Sequence, residues 1–260
     1  DSIGYAYNEY NGMLKTNDFG ESWEDIYYYG TQDINSYYFV SEETGYAAGE
    51  HGQIYKTTNG GFDWEVVSFQ TALIYESDLS SIYFTEHDIG YVVGLHGRIY
   101  KTEDAAENWT SSAFTYNAIN NISFPSNNTA YAGMQNQIIK TNDACQTWEV
   151  LNTEIDGRVK LLQFVTEELG YWIETRGAGY DSFYKTNDGC TTKELINMGF
   201  DYDGISSICF INSDVGYVCF NDTWPSSNEG IYKTINGSNT WMKVNDENGF
   251  TKMDFINSYT

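Results

Sequence analysis

Gly45-Tyr46-Ala47-Ala48-Gly49-Glu50-His51-Gly52-Gln53-Ile54-Tyr55-Lys56-Thr57-Thr58-Asn59-Gly60-Gly61-Phe62-Asp63-Trp64 decides the fold. It holds an aromatic strand, a short turn, a second strand ending in Lys-Thr, and an Asn/Gly turn closed by Trp. The pattern recurs along all 260 residues. Its Tyr returns as Tyr5, Tyr46, Tyr91, Tyr131, Tyr171 and Tyr217. Its Thr returns as Thr16, Thr57, Thr102, Thr141, Thr186 and Thr234, at spacings of 41, 45, 39, 45 and 48 residues. A repeat of this length accommodates four short strands and their turns. Before each Tyr lies an apolar alternation, as in Ile82-Tyr83-Phe84, Ile122-Ser123-Phe124 and Ile208-Cys209-Phe210, the signature of a half-buried strand. Each unit therefore reads as a four-stranded antiparallel meander, with strands a to d in chain order.

A lone meander cannot bury both faces, so the units must stack in an open array or a closed ring. The two ends of the chain choose the ring. Lys252-Met253-Asp254-Phe255-Ile256-Asn257 resembles Ser207-Ile208-Cys209-Phe210-Ile211-Asn212, an a strand, whereas the chain opens on Gly4-Tyr5-Ala6-Tyr7, a b strand. Joining them completes six units and removes exposed sheet edges. The expectation is an all-β, six-bladed β-propeller, one domain over residues 1–260. Blade 1 is built from 252–260 plus 1–29, and blades 2 to 6 span 32–69, 77–114, 117–153, 156–198 and 201–245.

The composition, 41% hydrophobic and 17% aromatic, supports a large core, and no apolar run is long enough for a membrane-spanning helix. The net charge of −24 disfavours nucleic acid and anionic headgroups as partners. Six of ten lysines (Lys15, Lys56, Lys101, Lys140, Lys185, Lys233) share one c-strand slot, which leaves little basic charge for a patch. The wealth of Tyr, Asn, Ser and Thr, with Asp1 in first place, points to a processed extracellular, periplasmic or cell-surface protein, expected to be a monomer. Cys209 and Cys219 fall on neighbouring strands of one hairpin, leaving a disulfide or two thiols as alternatives. Cys145 and Cys190 occupy the same turn of adjacent blades. Asp201-Tyr202-Asp203-Gly204 and Asn245-Asp246-Glu247-Asn248-Gly249 are oxygen-rich but complete no EF-hand, and read as surface turns. No metal and no cofactor are expected.

The c–d turn is the most specific motif. Thr16-Asn17-Asp18-Phe19-Gly20-Glu21-Ser22-Trp23 matches the Asp-box pattern Ser/Thr-x-Asp-x-Gly-x-Thr/Ser-Trp. Asp accepts backbone N–H groups two or three residues on, Gly supplies a positive φ, and Trp buries its ring against the sheet. Asn59 with Trp64, Asp104 with Trp109, Asp143 with Trp148, Asp188, and Asn236 with Trp241 continue the series. Ala106 and Cys145 replace the Gly, and Lys193 replaces the fifth Trp. A residue present in every blade serves every blade, so these are read as structural, and no catalytic residue is assigned. No Gly-x-Ser-x-Gly, His-Glu-x-x-His or phosphate loop is present.

The run from Gly45 to Glu65, and its counterpart Gly90-Tyr91-Val92-Val93-Gly94-Leu95-His96-Gly97-Arg98-Ile99-Tyr100-Lys101-Thr102, resembles the repeat of BNR/Asp-box propellers related to the photosystem II stability/assembly factor. The resemblance implies a propeller and leaves its use open. Relatives with this repeat include assembly chaperones, secreted bacterial proteins, sorting receptors and glycosidases. The photosystem factors are typically seven-bladed, against six blades here. Sialidases also combine six blades with Asp boxes and hold substrate with three arginines. This chain has only Arg98, Arg158 and Arg176 and lacks the N-terminal Arg-Ile-Pro-type motif.

In such a meander the b–c turns and d–a connections share one face of the disc. That face is expected to carry His51, His96, Arg98, Arg158 and Arg176, while His87 lies opposite. It also carries the longest departures from the repeat, with Tyr180 in blade 5 and Trp224 in blade 6. Variable loops on a repeated scaffold are where binding resides. Trp224 and Tyr180 are the expected anchors and the arginines the anion contacts. The alternative is a set of solvated loops whose arginines offset acids such as Glu174 and Asp156. The expected activity is non-catalytic protein–protein recognition; the alternative is glycan binding with or without sialidase-like hydrolysis.

Overall fold

The computed structural model describes residues 3–8, 12–26, 34–67, 78–113, 117–177, 180–199, 204–221, 228–246 and 249–256. These form six four-stranded antiparallel sheets. Blade 1 pairs its a strand Phe250–Phe255 with Gly4–Asn8, so the two ends of the chain close the ring in one sheet. The a strands of blades 2 to 6 are Ile34–Phe39, Leu79–Phe84, Asn121–Ser123, Arg158–Phe164 and Ile205–Phe210. Each contacts the next around the axis, and Phe250–Phe255 touches both Ile205–Phe210 and Ile34–Phe39.

The repeated Tyr holds neighbouring blades together. All six are fully buried on the b strands. Each stacks on the a-strand Phe of the following blade: Tyr5 on Phe39 at 3.6 Å, Tyr46 on Phe84 at 4.0 Å, Tyr91 on Phe124 at 4.4 Å. Tyr131 meets Phe164 at 3.5 Å, Tyr171 meets Phe210 at 3.6 Å, and Tyr217 closes the circle on Phe255 at 4.6 Å. Such stacking adds about 0.5–1.5 kcal/mol per pair to area burial. The hydroxyls of Tyr5 and Tyr131 donate to the carbonyls of Glu42 and Glu167 in the next blade at 2.8 and 2.7 Å. The slot lysines lie over the same rings, 5.3 Å from the centroid for Lys140 and 5.9 Å for Lys101, so their charge serves the scaffold. A glycine precedes the Tyr in five blades because the Phe of its own blade leaves no space; a Cβ on Gly216 would meet Phe210 at 2.4 Å.

The c–d turns repeat one hydrogen-bond pattern. The Thr hydroxyl accepts the N–H four residues on, from Gly20, Gly61, Ala106, Cys145, Cys190 and Ser238, at 2.9–3.2 Å. Asp18, Asn59, Asp104, Asp143, Asp188 and Asn236 each accept the N–H four residues on, at 2.8–3.0 Å, a longer reach than the two or three residues anticipated. Ala106, Cys145, Cys190 and Ser238 keep φ between 69° and 74°, beside 78° at Gly20 and 92° at Gly61. The network imposes the left-handed conformation even where glycine is absent.

Blade 5 replaces the turn Trp by Lys193, and a buried ion pair takes its place. Lys193 reaches the fully buried Glu174 carboxylate at 2.8 Å, and that carboxylate also accepts the Trp172 indole N–H at 2.9 Å and the Asp156 backbone N–H at 3.1 Å. All four cysteines are buried free thiols. Cys219 pairs with Ser207 and Cys209 with Tyr217, so the hairpin register sets the two cysteines on different rungs and does not bring them face to face.

Candidate functional site

On the face of the b–c turns and d–a connections, the a strands open with a slip in register. It falls between Ile34 and Ser36, Leu79 and Ser81, Val159 and Leu161, and Ile205 and Ser207. A bulge inserts one residue against its partner strand and re-aims that side chain. The inserted residues Asn35, Ser80, Lys160 and Ser206, joined by Asn120 in blade 4, line the mouth of the central channel, a cavity of about 620 Å³.

Three cations converge there. Arg158, Lys160 and Lys252 line the cavity, and Asp78 is the one carboxylate among its lining residues. Lys160 is tied to the buried Asp181 carboxylate at 3.0 Å, which also accepts the Thr175 hydroxyl at 2.6 Å and the Ile205 N–H at 3.0 Å. Asp78 accepts the His51 backbone N–H at 3.2 Å. Among the described residues neither Lys252 nor Arg158 forms an ion pair. Removal from water, with Lys160 and Arg158 nearby, pushes the Lys252 ammonium down to about 8. In a chain of net charge −24, this mouth is a local inversion of sign. The c-strand slot leaves little basic charge elsewhere, but two lysines outside it, Lys160 and Lys252, meet Arg158 at this mouth.

Of the expected site residues that fall among the described residues, only Arg158 lines the cavity. His51 and His96 are exposed at the left-handed position of single 3₁₀ turns, with φ of 55° and 63°. Arg98 opens strand c of blade 3, outside the mouth. Arg176 is held at the blade 5 edge: its Nε donates to the Asp156 carbonyl at 3.1 Å, its Nη2 to the Tyr184 hydroxyl at 3.2 Å, and it pairs with the Asp156 carboxylate at 3.4 Å. That is the offsetting role weighed against partner binding. Tyr180, in register with Arg176, is 66% exposed. Trp224 and most of the two oxygen-rich loops lie outside the described residues. Among the described residues no three His, Cys, Asp or Glu side chains cluster as metal ligands, and no helix is long and apolar enough to cross a membrane.

Lys160 was missed because a bulge leaves no mark in a single sequence, and Lys252 because its place is set by pairing with Tyr7 at the other end of the chain. The available signal was positional: blades 2, 3, 4 and 6 carry Asn35, Ser80, Asn120 and Ser206 where blade 5 has Lys160. Opposite the b strand, Lys252 likewise stands in a series with Ser36, Ser81, Asn121, Leu161 and Ser207.

The sequence profile of the photosynthesis system II assembly factor YCF48 matches residues 1–114 and 69–195. The chain belongs to the YCF48 family. Among solved structures, a YCF48 bound to D1 peptide aligns at 17% identity and a TM-score of 0.58, over 82% of this chain and 80% of that one. YCF48 from Cyanidioschyzon merolae aligns at 13% and 0.55, over 85% and 88%. The GH74 enzyme of Niastella koreensis aligns at 16% and 0.69, over 95% of this chain but 44% of that one. At these identities the structures share the fold alone. No curated protein matches the chain.

Proposed function

We propose that this YCF48-family propeller is a non-catalytic binding scaffold that holds a polypeptide partner at its channel mouth, with Arg158, Lys160 and Lys252 receiving an acidic group of that partner. The observation that carries this reading is the convergence of three cations on one cavity in a strongly acidic chain. Maintaining that cluster costs stability, since Lys252 is desolvated and repelled by its neighbours; an anionic partner offsets the cost. The family match and the D1 peptide held by a YCF48 structure support a protein partner. Tyr180, exposed on the same face, supplies apolar contact area, and Asn35, Asn120 and Ser206 supply polar contacts. The wealth of Tyr, Asn, Ser and Thr supports an exported protein.

The test is a peptide-display selection on the native protein, counter-selected on the Arg158→Ser/Lys252→Met variant. Enriched peptides carry Asp, Glu or a terminal carboxylate and bind the native form at least about tenfold more tightly than the variant. Equal binding to both proteins rejects the channel mouth as the site.

A further inference from the structure

The opposite mouth of the channel has the reverse chemistry. The residues paired across from the six repeat tyrosines form one layer around the axis: Asp254, Tyr38, Tyr83, Ser123, Gln163 and Cys209. Several latch one blade to the next. Ser123 accepts the Phe164 N–H at 2.9 Å, Gln163 accepts the Phe210 N–H at 2.6 Å, and Asp254 accepts the Phe39 N–H at 3.2 Å. A neutral acceptor suffices for that duty in blades 4 and 5. In blade 1 it is a carboxylate, and among the described residues no Lys, Arg or His pairs with it. Lys252, two residues earlier on the same strand, lines the cationic mouth and shares a smaller cavity of about 110 Å³ with Asp254, but forms no ion pair with it.

Beside the carboxylate is a wall of rings. Tyr38 and Tyr83 lie 4.6 Å apart between centroids, tilted by 43°, and Tyr83 continues to Phe124 at 5.3 Å. The Tyr83 hydroxyl donates to the Phe124 carbonyl at 3.0 Å, which fixes that ring. Both tyrosines are half-buried, and with Asp254, Phe124, Pro125 and Gln163 they line a cavity of about 260 Å³ open to the face of the a–b turns. Burial without a counter-ion pushes the Asp254 carboxyl up to about 7.

A carboxylate at the base of an aromatic-walled pocket fits one ligand class. Ring faces attract an ammonium group through their quadrupole, and the carboxylate adds a charged acceptor that the hydrophobic walls keep dry. The cavity is on the scale of a short alkyl chain. An acidic protein surface also raises the local concentration of cations. We infer that this second mouth is a binding site for an organic ammonium group on an alkyl chain, with Asp254 as its counter-ion and Tyr38 and Tyr83 as its walls. The group can belong to a free alkylamine or to a lysine side chain of a polypeptide.

The test is an NMR titration of the whole protein at pH 8, with n-butylammonium in one arm and Nα-acetyl-lysine methylamide in the other, and butyrate as the charge control. The expected result is saturable shifts for the amide of Asp254 and its neighbours, no response to butyrate, and a loss of affinity of about tenfold or more in Asp254→Asn. Asn retains an acceptor for the Phe39 N–H, so the latch is kept. Should that variant fail to fold, Tyr38→Leu carries the test, and weaker ammonium binding is again expected. Response to both amines supports a side-chain ammonium as ligand; response to butylammonium alone supports a free amine. No saturation by either amine, or equal affinity in native protein and variant, overturns the inference.

Discussion

Lys252 is costly where it sits. Its ammonium is drawn below the ordinary lysine range by removal from water and by Lys160 and Arg158, with Asp181 engaged by Lys160 and Asp78 bonded to the His51 backbone. A folded-state value below the unfolded one means that the unfolded chain holds the proton more tightly. Stability is therefore depressed at pH 7 and recovers as pH rises above about 8. Above about pH 8, ionisation of the four cysteines in the unfolded chain opposes this recovery, because burial pushes their folded-state values up, so the Lys252 contribution is read as a difference between the native protein and a variant. Urea unfolding between about pH 6 and 9.5 is predicted to show Lys252→Met more stable than the native protein at pH 7, with the gap narrowing as pH rises above about 8. Affinity for an acidic peptide falls over the same window as Lys252 loses its charge. The same residue shows where sequence reading stopped. Arg158 was found because it stands near a d–a connection, but Lys252 was read as part of an ordinary strand, since the register that turns it to the axis depends on pairing with Tyr7 at the other end of the chain.

At the scale of elements, turns and strands were legible because they repeat. The Tyr, Thr and Asp/Asn positions each recur six times and each makes the same contact in almost every blade, so periodicity revealed them without any fold being assumed. What remained hidden was local exception, such as the Glu174–Lys193 pair under blade 5. The turns carry a prediction in acid. Hydrogen bonds from the Thr147 hydroxyl and backbone, then from Thr141, draw the Asp143 carboxyl down to about 2, and Ser22 and Thr16 do the same for Asp18. A lowered folded-state value contributes stability above the ordinary carboxylate range that is lost as pH falls through it toward 2. Asn already serves at positions 59 and 236, so Asp143→Asn is predicted to fold and to lose less stability between pH 5 and 2 than the native protein does. Chemical denaturation across that range decides it. The strands carry a second prediction. Tyr131→Phe removes the bond to the Glu167 carbonyl and costs about 1 kcal/mol, whereas Tyr131→Ala also deletes the stack on Phe164 and costs about 3–5 kcal/mol. Similar losses for both variants contradict the interblade role of the ring.

The whole molecule is a ring whose two faces differ in sign at the axis. Six-fold repetition builds the channel, and the exceptions to repetition furnish it: Lys160 at a bulge, Arg158 at a strand start, and Lys252 and Asp254 on the strand that closes the circle. The chain's overall charge of −24 surrounds a cationic mouth on one face, and there the account places an acidic polypeptide. The most direct test is backbone chemical-shift mapping of the native protein with the acidic peptide of highest affinity from the display selection. The account predicts that the largest shifts fall on Asn35, Asn120, Arg158, Lys160, Ser206 and Lys252, and that they vanish in Arg158→Ser/Lys252→Met. Shifts confined to the opposite face or the outer d strands, unchanged in the variant, would contradict it.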